Sequence, residues 1–354
     1  MHSDEPLLSL RDLRISFDGA AAVRGLSFDV HDGEALALVG ESGAGKSLTG
    51  RALLGLVPRE ATVTGSARLR DGTELVGAKP SLLSTVWGRR IAFVPQDSLS
   101  ALSPVHPVGD QLAAAVRSVR GLSRRDAHAR AADALDRVGL TGATARAHPH
   151  ELSGGMRQRA VIAMAMVNEP ELVIADEPTT ALDPDRRAQV LRLLGEQREA
   201  TGAALLLVTH DLESVAGHAD RVYVVYAGRH VESGPVAQVF GAPRAPYTAG
   251  LLASLPPADP PAGPPAGPRA HPPANTPAGP SPAGRRRRLP AIGGTPPAAG
   301  LHPPGCAFAP RCPSADDRCR AERPEPTALD DREVSCHRAT ELPSPTAELF
   351  LETR

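Results

Sequence analysis

The chain has 354 residues, a 41% hydrophobic share and a formal net charge of −1. That content supports a sizeable core and excludes a disordered or fibrous protein, and the length fits two to three domains. The balanced charge gives no global basic field, so nucleic acid is not expected as a partner.

Aromatic residues make up only 3% of the chain, so Ala, Leu and Val must build the core. The opening stretch MHSDEPLLSLRDLR places acids where a secretory leader needs basic residues and an apolar run. The longest apolar stretches, such as Ala160–Val167, are far shorter than the roughly 18 residues of a membrane-span candidate. A soluble, cytoplasmic chain is therefore expected, with any membrane role arriving through a partner.

Along the chain, Ala35–Val39, Ile91–Val94, Leu172–Ala175, Ala204–Val208 and Val222–Tyr226 are short runs rich in Val, Leu and Ile. They read as buried strands of a largely parallel sheet with helices between them, an α/β fold. Leu48–Leu56 carries a helical pattern after the first strand. Between Gln96 and Ser153 no such strand is evident, and Ser123–Val138 reads as a helix capped by Ser123. A helical insertion is expected there. From Pro256 to Pro304 the chain carries 17 prolines in 49 residues, which predicts an extended, semi-rigid linker. Residues 305–340 then hold all four cysteines, a separate small module.

Gly40-Glu41-Ser42-Gly43-Ala44-Gly45-Lys46-Ser47 follows the first strand and opens the helical pattern that contains Leu48. It matches G-x-x-x-x-G-K-[ST] in the strand–loop–helix context that gives the motif meaning. Glycines let successive N–H groups face one concavity at a helix N-terminus, a nest for anions. Lys46 adds a point charge for the β- and γ-phosphates, and Ser47 is placed for Mg²⁺. Lys46 is also one of only two lysines, the other being Lys79. Leu172–Ala175 ends in Asp176 and Glu177, which puts two carboxylates at the carboxyl edge of the sheet, where open α/β folds bind ligands. Asp176 suits Mg²⁺, and Glu177 suits proton abstraction from an attacking water.

Leu152-Ser153-Gly154-Gly155-Met156-Arg157-Gln158-Arg159 precedes the acidic strand and resembles the signature of the ABC ATPases, with Met156 where Gln is usual. The Ser-Gly-Gly-Met-Arg-Gln-Arg form is similar to the ATPases of oligopeptide, dipeptide and nickel importers. The resemblance implies a P-loop NTPase fold with a parallel-sheet core, a helical subdomain at about 97–160 and a small Cys-rich extension. It divides the chain into an ATPase unit at 1–255, a Pro-rich linker at 256–304 and a C-terminal module at 305–354. It implies that Gln96 meets Mg²⁺ and the nucleophilic water, and that Ala181-Leu182-Asp183 is the D-loop. It further implies that His210 is the switch histidine and that Phe17 stacks on adenine, although Phe17 equally suits the core. Gln96–Pro104 with Val108–Leu112 looks like the segment that docks on membrane subunits.

The resemblance also sets the expected partners. These are two transmembrane permease subunits, a second ATPase (self or a related chain) and, indirectly, an extracellular solute-binding protein. The expected place is the cytoplasmic face of the membrane. Ser153, Gly154 and Gly155 of one ATPase would complete the ATP site of the other. Peptide import powered by ATP hydrolysis is the leading reading, with nickel or another small solute as the alternative. A soluble ABC ATPase acting on DNA or ribosomes fits less well, because no long coiled-coil insertion interrupts residues 48–152 and no second cassette is present.

The cysteines fall as Cys306-x₅-Cys312-x₆-Cys319-x₁₆-Cys336. Structural disulfides are disfavoured in a reducing compartment, and four thiolates suit Zn²⁺ or an iron–sulfur cluster, between which spacing does not choose. Gly305-Cys306-Ala307-Phe308-Ala309-Pro310-Arg311-Cys312-Pro313 resembles the C-terminal extension of the peptide-importer ATPases. That resemblance favours a [4Fe-4S] cluster, with Zn²⁺ as the alternative and metal-free thiols as the minority reading. Arg285–Arg288 is a run of four cations, readable as a solvated linker segment or as a contact for anionic lipid.

Overall fold

The computed structural model describes residues 5–180, 182–255, 292–298, 300–343 and 349–350. Arg285–Arg288, most of the Pro-rich stretch and Ala181 lie outside the described residues. The strands in chain order are β1 (Leu8–Phe17), β2 (Ala20–Val30), β3 (Ala35–Val39), β4 (Ala61–Leu69), β5 (Ile91–Val94), β6 (Leu172–Asp176), β7 (Ala204–Thr209), β8 (Arg221–Tyr226), β9 (Arg229–Pro235), β10 (Thr327–Leu329) and β11 (Arg332–Val334). The five expected strands are all present, each within a residue of its expected ends. They run parallel in the order β8-β3-β7-β6-β5.

The sheet is less purely parallel than expected. β9, β11 and β10 extend it antiparallel to eight strands, and β2-β1-β4 form a separate three-stranded antiparallel sheet.

Alternation along the central strands explains how the layers meet. Leu36, Leu38, Ile174, Leu206 and Val208 face one side and pack with Leu8, Leu10, Leu13, Ile15, Val23 and Leu26 of the antiparallel sheet. Val173, Ala175, Leu205 and Leu207 face the other side, under the helices. This is the period-2 consequence of a strand buried on both faces, and it needs an apolar residue at every position.

Residues 97–152 contain helices and no strand, as the sequence predicts. Helix Arg124–Arg137 is started by Ser123, whose Oγ accepts from Asp126 N at 3.2 Å. Ala127, Ala131, Ala134 and Leu135 turn inward at the spacing of one helical face. No helix among the described residues is long and apolar enough to cross a membrane.

The chain's far end packs back onto the same side of the sheet. Val222, Val224 and Tyr226 of β8 meet Tyr247 and Phe308, with Cys306 and Cys312 against them. Tyr226, Tyr247 and Phe308 have ring centroids 4.5–5.3 Å apart. Two of only three tyrosines therefore serve this one junction, where large rings fill more space than the Ala- and Leu-built core can.

On the neighbouring strand β9, His230 is buried against Tyr223, with its nitrogens 2.8 Å from Ser335 Oγ and 3.1 Å from Ser233 Oγ. Burial pushes its pKa down to about 4. Between that value and the ordinary one near 6.5, the unfolded chain binds more protons than the native one. The neutral ring's contribution is thus complete above the ordinary value and is lost as pH falls through the window, by up to about 3 kcal/mol. Thermal unfolding should show a clear drop in melting temperature from pH 7.5 to pH 5. The drop should shrink in His230→Gln, and an equal drop in both proteins would reject His230 as its source.

Candidate functional site

The loop 40–47 joins β3 to helix Lys46–Leu53, two residues earlier than the Leu48 start read from the sequence. Lys46 and Ser47 are thus the first residues of the helix itself. Two glycines make the path possible. Gly40 has φ +154°, and a Cβ there would lie 2.1 Å from the carbonyl oxygen of Val225. Gly45, at φ +94°, caps the helix, and its Cβ would meet the Ala22 carbonyl at 2.9 Å. Neither place admits a side chain. Ser42 and Gly43 are exposed at the crest, and Ala44 is buried beneath it. Leu48 is half-buried against the core under the antiparallel sheet.

Lys46 is buried, and its Nζ donates to the carbonyls of Gly40 (2.8 Å) and Glu41 (3.0 Å). Burial pushes its pKa down, opposed by Glu177, Asp176 and Glu41. Ser47 Oγ donates to Asp176 Oδ1 at 2.6 Å. Asp176 is 1% exposed, and its Oδ2 has no hydrogen-bond partner among the described residues, with Arg51 Nη2 at 3.7 Å. Burial raises its carboxyl pKa beyond what Ser47, Arg51 and Lys46 pull down. A buried carboxylate short of positive charge, touching a hydroxyl at the loop, fits a divalent cation.

Glu177 leaves β6 at φ +46°, held there by its N–H to the Val208 carbonyl at 2.8 Å. That non-glycine left-handed turn aims the carboxylate across the strand ends. Its Oε1 is 3.1 Å from His210 Nδ1, and its Oε2 accepts from Thr180 Oγ1 (2.7 Å) and Gln96 Nε2 (3.3 Å). Burial alone would raise its pKa, but the bonds from Thr180 and His210, with the charges of His210 and Lys46, bring it below the ordinary value. Glu177 is therefore held ionised. The structure thus unites Gln96, Asp176, Glu177, His210, Lys46 and Ser47 at the carboxyl ends of β5, β6, β7 and β3.

Other expected residues sit apart from this group. Ser153 caps helix Gly154–Met166 by accepting from Met156 N at 3.3 Å, and Ser153 and Gly154 are exposed. No hydrogen bond or ion pair among the described residues joins Ser153, Gly154 or Gly155 to the loop 40–47. Asp183 caps helix Pro184–Thr201 and pairs with Arg186 at 3.2 Å. Phe17 ends β1, half-buried on the core.

The sequence reading missed several supporting groups. Thr180 holds Glu177, and the buried Gln158 of the signature helix donates to the Pro178 carbonyl at 3.0 Å. Thr180 has the spacing of a turn partner three residues after Glu177, so that contact was within reach.

The four cysteines are free thiols and line one pocket with Phe308, Tyr247 and Ser335. The expected cluster is not supported, nor is the alternative Zn²⁺. Among the described residues no group of three or more His, Cys, Asp or Glu is arranged to hold a metal ion. Burial pushes the Cys312 and Cys336 thiols up to about 11 and 12, and Cys306 and Cys319 move the same way. Burial thus favours the neutral form of all four thiols.

A P-loop at the first parallel strand, with two acids at a neighbouring strand end, defines a P-loop nucleotide-binding domain. The family model described as ABC transporter matches residues 23–180. That of the oligopeptide/dipeptide transporter C-terminal region matches 231–282 and 276–319. The oligopeptide transport ATP-binding protein OppD of Mycobacterium tuberculosis is 45% identical over 95% of this chain, which spans about half (52%) of that relative's length. The dipeptide transport ATP-binding protein DppD of Bacillus subtilis is 39% identical over 94% of each chain. Among solved structures, cbiO1 of Clostridium perfringens, part of the ABC transporter complex cbiONQ, matches with TM-score 0.58 and 27% identity over 67% of this chain and 92% of that one. A dimeric post-hydrolysis state of the ATP-binding cassette MJ0796, bound to ADP and phosphate, gives TM-score 0.58 and 25% identity over 65% and 98%. The chain belongs to the ABC transporter ATP-binding proteins, in the branch that carries the oligopeptide/dipeptide C-terminal region.

Proposed function

We propose that this chain is the ATP-hydrolysing subunit of a peptide importer, seated through two permease subunits on the cytoplasmic face of the membrane. One observation carries the hydrolytic reading. An ionised Glu177, oriented by His210, Thr180 and Gln96, stands beside the Asp176–Ser47 pair and the Lys46 loop. The names of the relatives, oligopeptide and dipeptide transport ATP-binding proteins, support peptides as the solute. The proposed division is an ATPase unit at 1–255, with its helical subdomain at about 97–160, a linker at 256–304 and a C-terminal module at 305–354.

In this reading the loop's N–H groups and Lys46 bind the phosphates, while Ser47, Asp176 and Gln96 hold Mg²⁺. Held there, the cation would supply positive charge to offset what develops on the phosphate in the transition state. Glu177 takes a proton from water, and His210 keeps that carboxylate aimed and stabilises γ-phosphate charge. Ser153 and Gly154 lie exposed on the helical side with Gly155 half-buried beside them, so a second ATPase, self or related, brings all three to the γ-phosphate. Asp183 of the D-loop lies at that junction, and Phe17 carries the adenine. Closing the pair moves the segment after Gln96 against the permeases, and an extracellular binding protein delivers the solute. The cysteine pocket enters as a structural element.

Vesicles holding the two permeases, this chain and its ATPase partner should take up labelled oligopeptide only when Mg·ATP reaches the ATPase face. Uptake of Ni²⁺ and no peptide would assign the nickel alternative. Hydrolysis that ignores the permeases, with no uptake of either, would overturn transport.

A further inference from the structure

Arg311 lies 270 residues from the phosphate loop in sequence and touches it in space. Its Nη1 and Nη2 donate to Glu41 Oε2 (2.8 Å) and Oε1 (3.0 Å), a two-pronged pair in which the arginine side chain is 6% exposed. Nη1 also donates to the Tyr226 hydroxyl at 3.1 Å, and Nε to the Gly293 carbonyl at 2.8 Å. The guanidinium carbon lies 5.7 Å from the Tyr226 ring centroid and 5.9 Å from that of Phe308. Hydrogen bonds and two aromatic faces thus fix the fork in place.

Glu41 is the second residue of the loop, and three of its groups are held. Its side chain is gripped by Arg311, its N–H donates to the Tyr247 hydroxyl at 2.9 Å, and its carbonyl accepts from Lys46 Nζ at 3.0 Å. Lys46 therefore rests on a stretch of backbone anchored by the C-terminal module. Arg311 itself ends the turn Ala309–Arg311, between Cys306 and Cys312, with its N–H on the Phe308 carbonyl at 2.9 Å. Loops that present N–H groups to phosphate work only if their backbone is held in shape by its surroundings. A forked arginine–carboxylate pair supplies direction as well as charge, which a lysine cannot reproduce.

We infer that Arg311 is a positioning residue of the phosphate-binding loop, acting through Glu41, so that the C-terminal module sets how tightly the ATP site holds nucleotide. The inference rests on the loop's binding ATP. It gives the module a part in the ATPase cycle.

The test titrates the purified full chain with Mg·ATP and follows turnover of the same protein. Arg311→Ala and Glu41→Ala should each raise the Kd about tenfold, and the double variant should lose the same tenfold rather than a hundredfold. Arg311→Lys should recover only part, and the loss should fall on KM rather than kcat. A role confined to stability would lower the melting temperature and the active fraction with KM unchanged. Should Arg311→Ala fail to fold, Arg311→Lys and Glu41→Gln give the same comparison. A wild-type Kd in the Arg311 variants, or losses that multiply in the double variant, overturns the inference. Wild-type chain that binds no Mg·ATP would instead remove the nucleotide reading beneath it.

Discussion

Glu177→Gln should stop ATP turnover, lowering kcat about a thousandfold, the scale at which a positioned general base contributes. Gln is the same shape and still offers an oxygen to Thr180 or His210, so the turn at φ +46° and the strand end are kept. What it loses is the capacity to accept a proton. Lys46, Ser47 and Asp176 are untouched, so Mg·ATP binding should stay within a few-fold of wild type. With hydrolysis blocked and binding intact, the ATP-bound pair should accumulate as a dimer on size-exclusion chromatography. His210→Ala and Thr180→Val should be milder, because each removes one of three groups that orient the carboxylate. Phosphate release measured beside ATP binding decides the matter, and a Glu177→Gln variant that turns over at the wild-type rate would take the role of base away from Glu177.

The parts of this protein that sequence reveals are those where local chemistry and position coincide. β3, β5, β6 and β7 are buried on both faces, so continuous Val, Leu and Ile runs mark them. The loop at Lys46 and the acids at 176 and 177 carry their meaning in spacing alone. The antiparallel sheet is different. β1 changes register between Leu10 and Leu13, where Asp12 takes φ +47°, so its alternation is broken. β4, ATVTGSARL, is built mostly of small residues and carries no continuous apolar run, with Thr62, Thr64 and Arg68 exposed. β10 and β11 have three residues each and exist because β9 offers an edge. At the site, Glu177's partners from three strand ends follow once the fold is known. The Arg311–Glu41 pair does not, since neither residue has a local pattern that names the other. The four cysteines were legible as a group, but the pocket they share was not.

The second large effect concerns how the far end of the chain is attached. Glu232 on β9 is fully buried, accepting from the backbone N–H groups of Arg244 (2.9 Å) and Ala245 (3.0 Å). Arg332 Nη1 stands 3.6 Å from its Oε1 and donates to the carbonyls of Gln238 (3.0 Å) and Ala242 (2.7 Å). The arginine lies over Gly234, where a Cβ would come within 2.9 Å of its Cγ. Among the described residues β11 pairs with β9 at Glu333–Ser233 and Val334–Glu232, with the Ser335 N–H on the Val231 carbonyl at 2.8 Å, and the charge pair adds to this short ladder. Burial raises the Glu232 pKa in spite of the two N–H groups and Arg332. Its charge is thus costly to hold, and its pH dependence runs opposite to that of His230: the contribution is whole at low pH and declines as pH rises through the native value. Glu232→Ala strands Arg332 and two N–H groups in the interior, and Arg332→Ala strands the carboxylate. Each should cost about 4 kcal/mol, the scale for breaking a buried pair from one side. Removing both should cost clearly less than the two single losses together, since no uncompensated charge remains. Urea unfolding of the three variants measures this, and additive losses would mean that Glu232 and Arg332 stabilise the chain independently rather than as a pair.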